Sequence, residues 1–171
     1  MSNLILDQVG VVRGDRRVLD GVDVTFQAGR LAAVIGPNGA GKSTLLSVAT
    51  GLLQPSTGQV RLGDTQLAAM PRRVLAQRRA YLPQRAVVEW PISVERVVAL
   101  GLTPSLPAFG DLPATMRARV ADALARFDLA DLAARPATEL SGGELARVMM
   151  ARATVSPPTP ESKIPMGAST Q

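Results

Sequence analysis

Between a continuous apolar run, Leu31–Ile35 (LAAVI), and a helix-like stretch, KSTLLSVAT, the chain carries Gly36-Pro37-Asn38-Gly39-Ala40-Gly41-Lys42-Ser43-Thr44. An apolar run ending at a glycine reads as a buried strand of a parallel sheet, and the following residues as a helix that stops at Gly51. The spacing is G-x-x-x-x-G-K-[ST], set between strand and helix, the context that gives it meaning. Glycines let successive backbone N–H groups form a nest, and the helix starting near Lys42 adds the positive end of its dipole. Such a cradle suits phosphate oxygens. Lys42 would reach the β and γ phosphates of a nucleoside triphosphate, and the Ser43 hydroxyl would ligate Mg²⁺. A serine-capped glycine turn would satisfy the spacing but leave the flanking elements unexplained.

The rest of the chain is organised around this unit. Leu4 to Phe26 holds short apolar stretches broken by turns such as Arg13-Gly14-Asp15-Arg16, as in a small sheet of paired strands. After the helix, QPSTG turns into the strand-like QVRLG, and Arg79–Pro83 (RAYLP) is a further strand candidate that stops at Gln84. From Ser93 to Leu140 the pattern is helical: Val120, Leu124 and Phe127 share one face, with proline-rich PSLPAFGDLP as a loop inside the region. A last helix follows Ser141, with Leu145, Val148 and Met149 on one stripe.

Composition narrows the function classes. At 171 residues with 46% hydrophobic and 19% charged residues, the chain suits one folded domain rather than a disordered segment. No window approaches the roughly 18 uninterrupted apolar residues of a membrane-spanning helix. The net charge of +5 is carried by arginines scattered along the chain without a basic block or interleaved aromatics, which argues against nucleic-acid binding. With no cysteine, disulfide and thiolate chemistry are excluded. The expectation is a cytoplasmic chain that touches membranes only through partners.

Two further features separate the possible users of a phosphate loop. Leu140-Ser141-Gly142-Gly143-Glu144 contains an S-x-x-E capping box, so Ser141 would cap a helix whose glycines leave its first amides uncovered. Gln84 ends an apolar strand candidate. Taken with the phosphate loop, in this order, residues 1–153 resemble the ATP-binding-cassette (ABC) proteins, whose signature LSGGQ is here LSGGE and whose Q-loop glutamine falls at Gln84. VVRGDRRVLDGV, YLPQ and LSGGELARVMMARA look like the branch serving haemin and iron-siderophore importers.

The resemblance implies an α/β P-loop NTPase fold, an ABC nucleotide-binding domain with a small antiparallel β subdomain and a helical subdomain at about 93–140. It implies ATP and Mg²⁺ as cofactors, bound by Gly36 to Thr44 and by Gln84, Ser141, Gly142, Gly143 and Glu144, with Ser43 and Gln84 at the metal. In the family, Ser141 to Glu144 would meet the γ-phosphate held by a second subunit, in a homodimer or a pair with another ABC ATPase. A transmembrane permease subunit would be the other partner, at the inner face of the cell membrane, near Ala86–Val94 (AVVEWPISV); Trp90 there either fronts that partner or packs in the core. The family's adenine-stacking aromatic falls at Arg13, which is either a guanidinium plane that stacks on the base or a solvent-facing turn arginine.

The same resemblance exposes what the sequence lacks. The family continues from its signature helix into an apolar strand ending in Asp-Glu, the Walker B Asp and the catalytic Glu, and later supplies a switch histidine. Here the only acidic residue after Glu144 is Glu161, and the chain has no histidine. At Thr154 the helix gives way to proline-rich sequence, a junction resembling a frameshift or truncation, so the C-terminal strands are missing and residues 154–171 read as a disordered tail. The expected function is the ATP-binding subunit of an importer, hydrolysis-defective in this form and without catalytic residues of its own. The alternative is a non-catalytic nucleotide-binding module that pairs with a complete ABC ATPase. DNA-repair and chromosome-type cassettes insert long coiled coils, for which sustained heptads are absent, and P-loop kinases have no use for Gln84 with the signature. A phosphate-loop strand without sheet neighbours leaves an apolar edge exposed. The apo chain is therefore expected to melt by calorimetry no higher than about 60 °C, within the mesophilic range of about 45–65 °C, and to aggregate on heating.

Overall fold

The computed structural model describes residues 2–84, 87–106 and 112–156. The chain divides into two compact units, the boundary falling between Leu75 and Ala76. In the first unit, strands β1 (Leu4–Arg13), β2 (Arg16–Phe26), β3 (Thr57–Leu62) and β4 (Thr65–Gln66) form an antiparallel sheet in the order β2-β1-β3-β4. β1 and β2 pair from Leu4–Phe26 to Arg13–Arg16, so the Arg13–Arg16 segment is the hairpin turn expected. Leu6, Val9 and Val11 of β1 point inward, Val9 and Val11 by alternation and Leu6 across a bulge, and Leu19 and Val60 meet them. Helix α1 (Lys42–Ala49) adds Val48 and Ala49 to this core, and α2 (Arg72–Arg78) adds Leu75.

A bulge interrupts β1. Gln8 takes a left-handed backbone conformation, φ 48°, and the pairing slips between Leu6 and Val9. Its amide donates to Asp23 Oδ1 at 2.7 Å and its side-chain amide donates to the other oxygen of that carboxylate. The bulge fits only because Gly58 lies beside it: a Cβ at Gly58 would stand 2.2 Å from Gln8 O and 2.4 Å from Asp7 O.

The second unit is helical, with α3 (Val94–Ala99), α4 (Ala114–Arg126) and α5 (Gly142–Thr154) joined by short 3₁₀ turns. Its core gathers Val94, Val97, Val98, Leu102, Val120, Leu124, Leu129, Val148 and Met149, all nearly inaccessible, with Phe127 and Leu145 packed against it. The helical periodicities at 120–127 and 145–149 thus mark buried faces. The chain closes on itself where Val94 N donates to Arg135 O at 3.0 Å and Ala137 N to Ile92 O at 2.9 Å.

Two expectations need correction. Leu31–Ile35 and Arg79–Pro83, read as strands, form no strand. A strand is sustained by ladder hydrogen bonds to its neighbours, and the four-stranded sheet pairs with neither segment. Leu31 and Ile35 are 102% and 90% exposed, the reverse of a buried strand. Residues 157–171 of the expected tail, 107–111 of the proline-rich loop, and Arg85 and Ala86 lie outside the described residues.

Gly58→Ala should lower stability by about 2 kcal/mol or more, because it adds a steric conflict with two carbonyls to the cost of a positive φ. A leftward shift of the urea midpoint monitored by circular dichroism checks this; an unchanged midpoint would show that the bulge relaxes freely.

Candidate functional site: the phosphate loop and the signature helix

The phosphate loop is built by backbone geometry that most residues resist. Gly39 and Gly41 have φ of 82° and 87°, conformations available to glycine at little cost. Gly41 is also the N-cap of α1 and sits hard against β2, where an added Cβ would lie 3.0 Å from both Val18 O and Leu19 Cδ2. Ala40 N donates to Pro37 O at 3.3 Å and Leu45 N to Gly41 O at 2.8 Å, closing the loop and starting the helix. Lys42 folds back across the loop: its Nζ donates to Gly36 O at 2.9 Å and to Pro37 O at 2.7 Å. An ammonium held there stands over the same backbone whose amides would receive phosphate oxygens. Ser43, the second residue of α1, is exposed, and its carbonyl accepts from Ser47 Oγ at 2.8 Å.

The signature lies in the second unit and is organised by a reciprocal cap. Ser141, in extended backbone geometry, is the N-cap of α5 and its Oγ accepts from Glu144 N at 3.3 Å. Glu144 Oε2 in return accepts from Ser141 N at 2.7 Å and from Ser141 Oγ at 2.6 Å. This is the capping box read in the sequence. A Cβ at Gly142 or Gly143 would meet nothing within 4 Å, so the first turn of α5 presents bare backbone. The Ser141 hydroxyl, then its amide, hold the Glu144 carboxyl below its ordinary pKa of 4.5, with lesser help from Arg135 and Arg147.

Gln84 is exposed and belongs to the second unit, whereas Ser43 belongs to the first, so each half of the expected metal pair is described in its own unit. Among the described residues no group of three or more Asp, Glu, His or Cys converges to hold a metal. Arg13 is exposed at the end of the β1–β2 hairpin. Trp90 is 74% exposed, so it does not pack in the core; it borders an apolar groove of about 270 Å³ with Val87, Val88, Ile92, Leu100 and Met149.

Val18 carries no signal in the sequence. Its carbonyl is part of the floor under Gly41, a contact between residues far apart in the chain that local periodicity does not encode.

The ABC transporter profile matches residues 19–159, a span containing the phosphate loop, Gln84 and the signature. The chain belongs to the ABC transporter family. It is 47% identical over 139 residues to the hemin import ATP-binding protein HmuV of Streptomyces coelicolor, covering 81% of this chain and 49% of the relative. It is 42% identical over 137 residues to the cobalamin import ATP-binding protein of Halobacterium salinarum, covering 80% of this chain and 34% of that one. Among solved structures, a nucleotide-free ATP-binding cassette from an ABC transporter aligns with a TM-score of 0.77 at 26% identity, covering 92% of this chain and 66% of that one. An ATP-binding subunit of an ABC transporter aligns with a TM-score of 0.75 at 26% identity, covering 89% and 61%. The fold is thus the α/β P-loop NTPase fold of ABC ATPases, with a small antiparallel sheet in the first unit, and the family implies nucleotide binding. The chain spans about half the length of the curated hemin-import relatives it matches.

The cap makes a pH prediction. A depressed carboxylate pKa means that the cap stabilises α5 fully above the ordinary Glu value and loses that contribution as pH falls through the lowered folded-state value. Carboxyl-detected NMR titration should give Glu144 a midpoint below 4.5. Ser141→Ala should return it toward the ordinary value and cost about 1 kcal/mol of stability. A wild-type midpoint at or above the ordinary value would refute the cap in solution.

Proposed function

We propose that this chain carries the nucleotide-binding part of the ATP-binding subunit of an importer, working with a transmembrane permease at the inner face of the cell membrane. The observation that carries this is the glycine-built loop with Lys42 held across it at the start of α1. Residues 36–44 would wrap the triphosphate, Lys42 would exchange its carbonyl partners for phosphate oxygens, and Ser43 would contribute a hydroxyl to Mg²⁺. Gln84 would sense the metal and attacking water. The capped start of α5, with Ser141, Gly142, Gly143 and Glu144, would face the γ-phosphate of a second subunit, in a homodimer or a pair with another ABC ATPase. Haem or an iron-siderophore is the favoured cargo, supported by similarity to proteins named for hemin import. The exposed Trp90 groove supports permease docking on the second unit.

Residues 1–153 would form the cassette portion, with the helical subdomain at about 93–140. Phosphoryl transfer depends on positioning and on charge compensation, and the residues of this chain supply a phosphate cradle without the acidic pair or histidine that complete it in the family. The chain alone would therefore bind MgATP and hydrolyse it at background rate.

Isothermal titration calorimetry with MgATP tests the reading. Wild-type chain should bind, and Lys42→Ala should weaken affinity about tenfold or more, because a hydrogen bond to a charged group contributes about 1.5–3 kcal/mol. Equal affinity for wild type and Lys42→Ala would overturn the site. Steady-state hydrolysis well above background that disappears in Lys42→Ala would keep the site but overturn the absence of turnover.

A further inference from the structure

A cleft of about 560 Å³ lies wholly within the second unit, bordered by the end of α2, the last turn of α5 and the 3₁₀ turn Leu100–Ser105. Its volume falls in the range of about 300–1,000 Å³ common for small-molecule sites. Two contacts fix its walls. Gln77 Nε2 donates to Pro104 O at 2.9 Å, tying the end of α2 to the 3₁₀ turn. Gly101 seats that turn on α5 so closely that an added Cβ would stand 2.1 Å from Arg152 O.

The charge in this cleft is one-sided. Arg78, Arg79, Arg126 and Arg152 line it, and no Asp or Glu is among the described residues that do. Each guanidinium brings a planar fork of N–H donors suited to the oxygens of a phosphate or a carboxylate. For Arg78 the shortfall is explicit: its Nη2 is buried and has no hydrogen-bond partner among the described residues. A buried donor left unpaired is costly, and an oxyanion beside that guanidinium would offset the cost. Several guanidinium charges together favour a ligand that concentrates charge. A phosphate monoester brings a charge of about −1.5 to −2 near neutral pH and three acceptor oxygens, where a carboxylate brings a single charge. The lining also includes Ala76, Ala80, Leu100 and Pro104, which suit an organic body.

We infer that this cleft is an anion site for a small water-soluble molecule bearing two phosphate groups, its charge met by Arg78, Arg126 and Arg152 and its organic body by the apolar lining. The cleft belongs to the second unit and the phosphate loop to the first, so the inference stands or falls separately from ATP binding.

The test is titration of the full chain, at constant ionic strength, with inorganic pyrophosphate, which presents the two phosphates alone. The guanidinium Nε–H NMR signals of Arg78, Arg126 and Arg152 report on the cleft, and the amides of Gly39 and Gly41 on the phosphate loop. The guanidinium signals should shift to saturation with the same midpoint in wild type and in Lys42→Ala. Arg126 is exposed, so Arg126→Gln should leave the circular dichroism unchanged while raising that midpoint about tenfold, and Arg152→Gln should raise it by a similar factor. Guanidinium signals that stay still, move without saturating, or saturate at an unchanged midpoint in both arginine variants would each overturn the inference. Saturation by citrate at a lower concentration than by pyrophosphate would overturn the assignment to phosphate. Cosedimentation with phosphatidylglycerol vesicles that is lost in Arg126→Gln, with no saturable response to pyrophosphate, would assign the cleft to a lipid headgroup and overturn it as a site for a soluble ligand. A guanidinium response that persists while the Gly39 and Gly41 amides stay unmoved would support the cleft and count against the phosphate loop alone.

Discussion

The absence of a side chain at Gly41 governs the first unit. With only hydrogen there, the loop settles against the carbonyl of Val18 and the methyl of Leu19, and α1 starts where the sheet can support it. Val48 and Ala49 then drop into the core formed by Leu6, Val9, Val11 and Val60. The direction of the helix, and with it the direction of its positive end, follows from that seating. The loop's shape is thus as much a property of the antiparallel sheet beneath it as of its own glycines.

The second unit presents its candidate surface by a different route. Ser141 and Glu144 satisfy one another within a single turn, so the exposed glycines at the head of α5 are presented by a strictly local arrangement. The helix behind them is fixed by Val148 and Met149, buried among side chains from α3 and α4. Local capping sets the surface and tertiary packing sets its aim, a division that lets the two be altered separately.

These differences decide what could be read in the sequence. The capping box, the α1 boundaries and the buried faces at Val120, Leu124, Val148 and Met149 depend on spacings of three and four residues, and the structure has them where the sequence places them. The hairpin at Arg13–Arg16 was legible for the same reason. Leu31–Ile35 and Arg79–Pro83 have the apolar character that a strand needs, whereas forming one requires neighbours, and the sheet of the first unit pairs with neither. The Gln8 bulge, the fit of Gly58 beside it and the floor at Val18 arise from contacts between segments far apart in sequence, which periodicity does not carry.

Lys42 has one more consequence, chemical rather than structural. The chain contains only two lysines, Lys42 and Lys163, and its other basic side chains are all arginine. Guanidinium groups stay protonated and inert toward acylating reagents under conditions where an amine reacts. An amine-selective label therefore has very few places to go, and one of them is the ammonium resting on the carbonyls of Gly36 and Pro37. The protein carries its own footprinting probe at the centre of the loop, readable by peptide mass without introducing a foreign group.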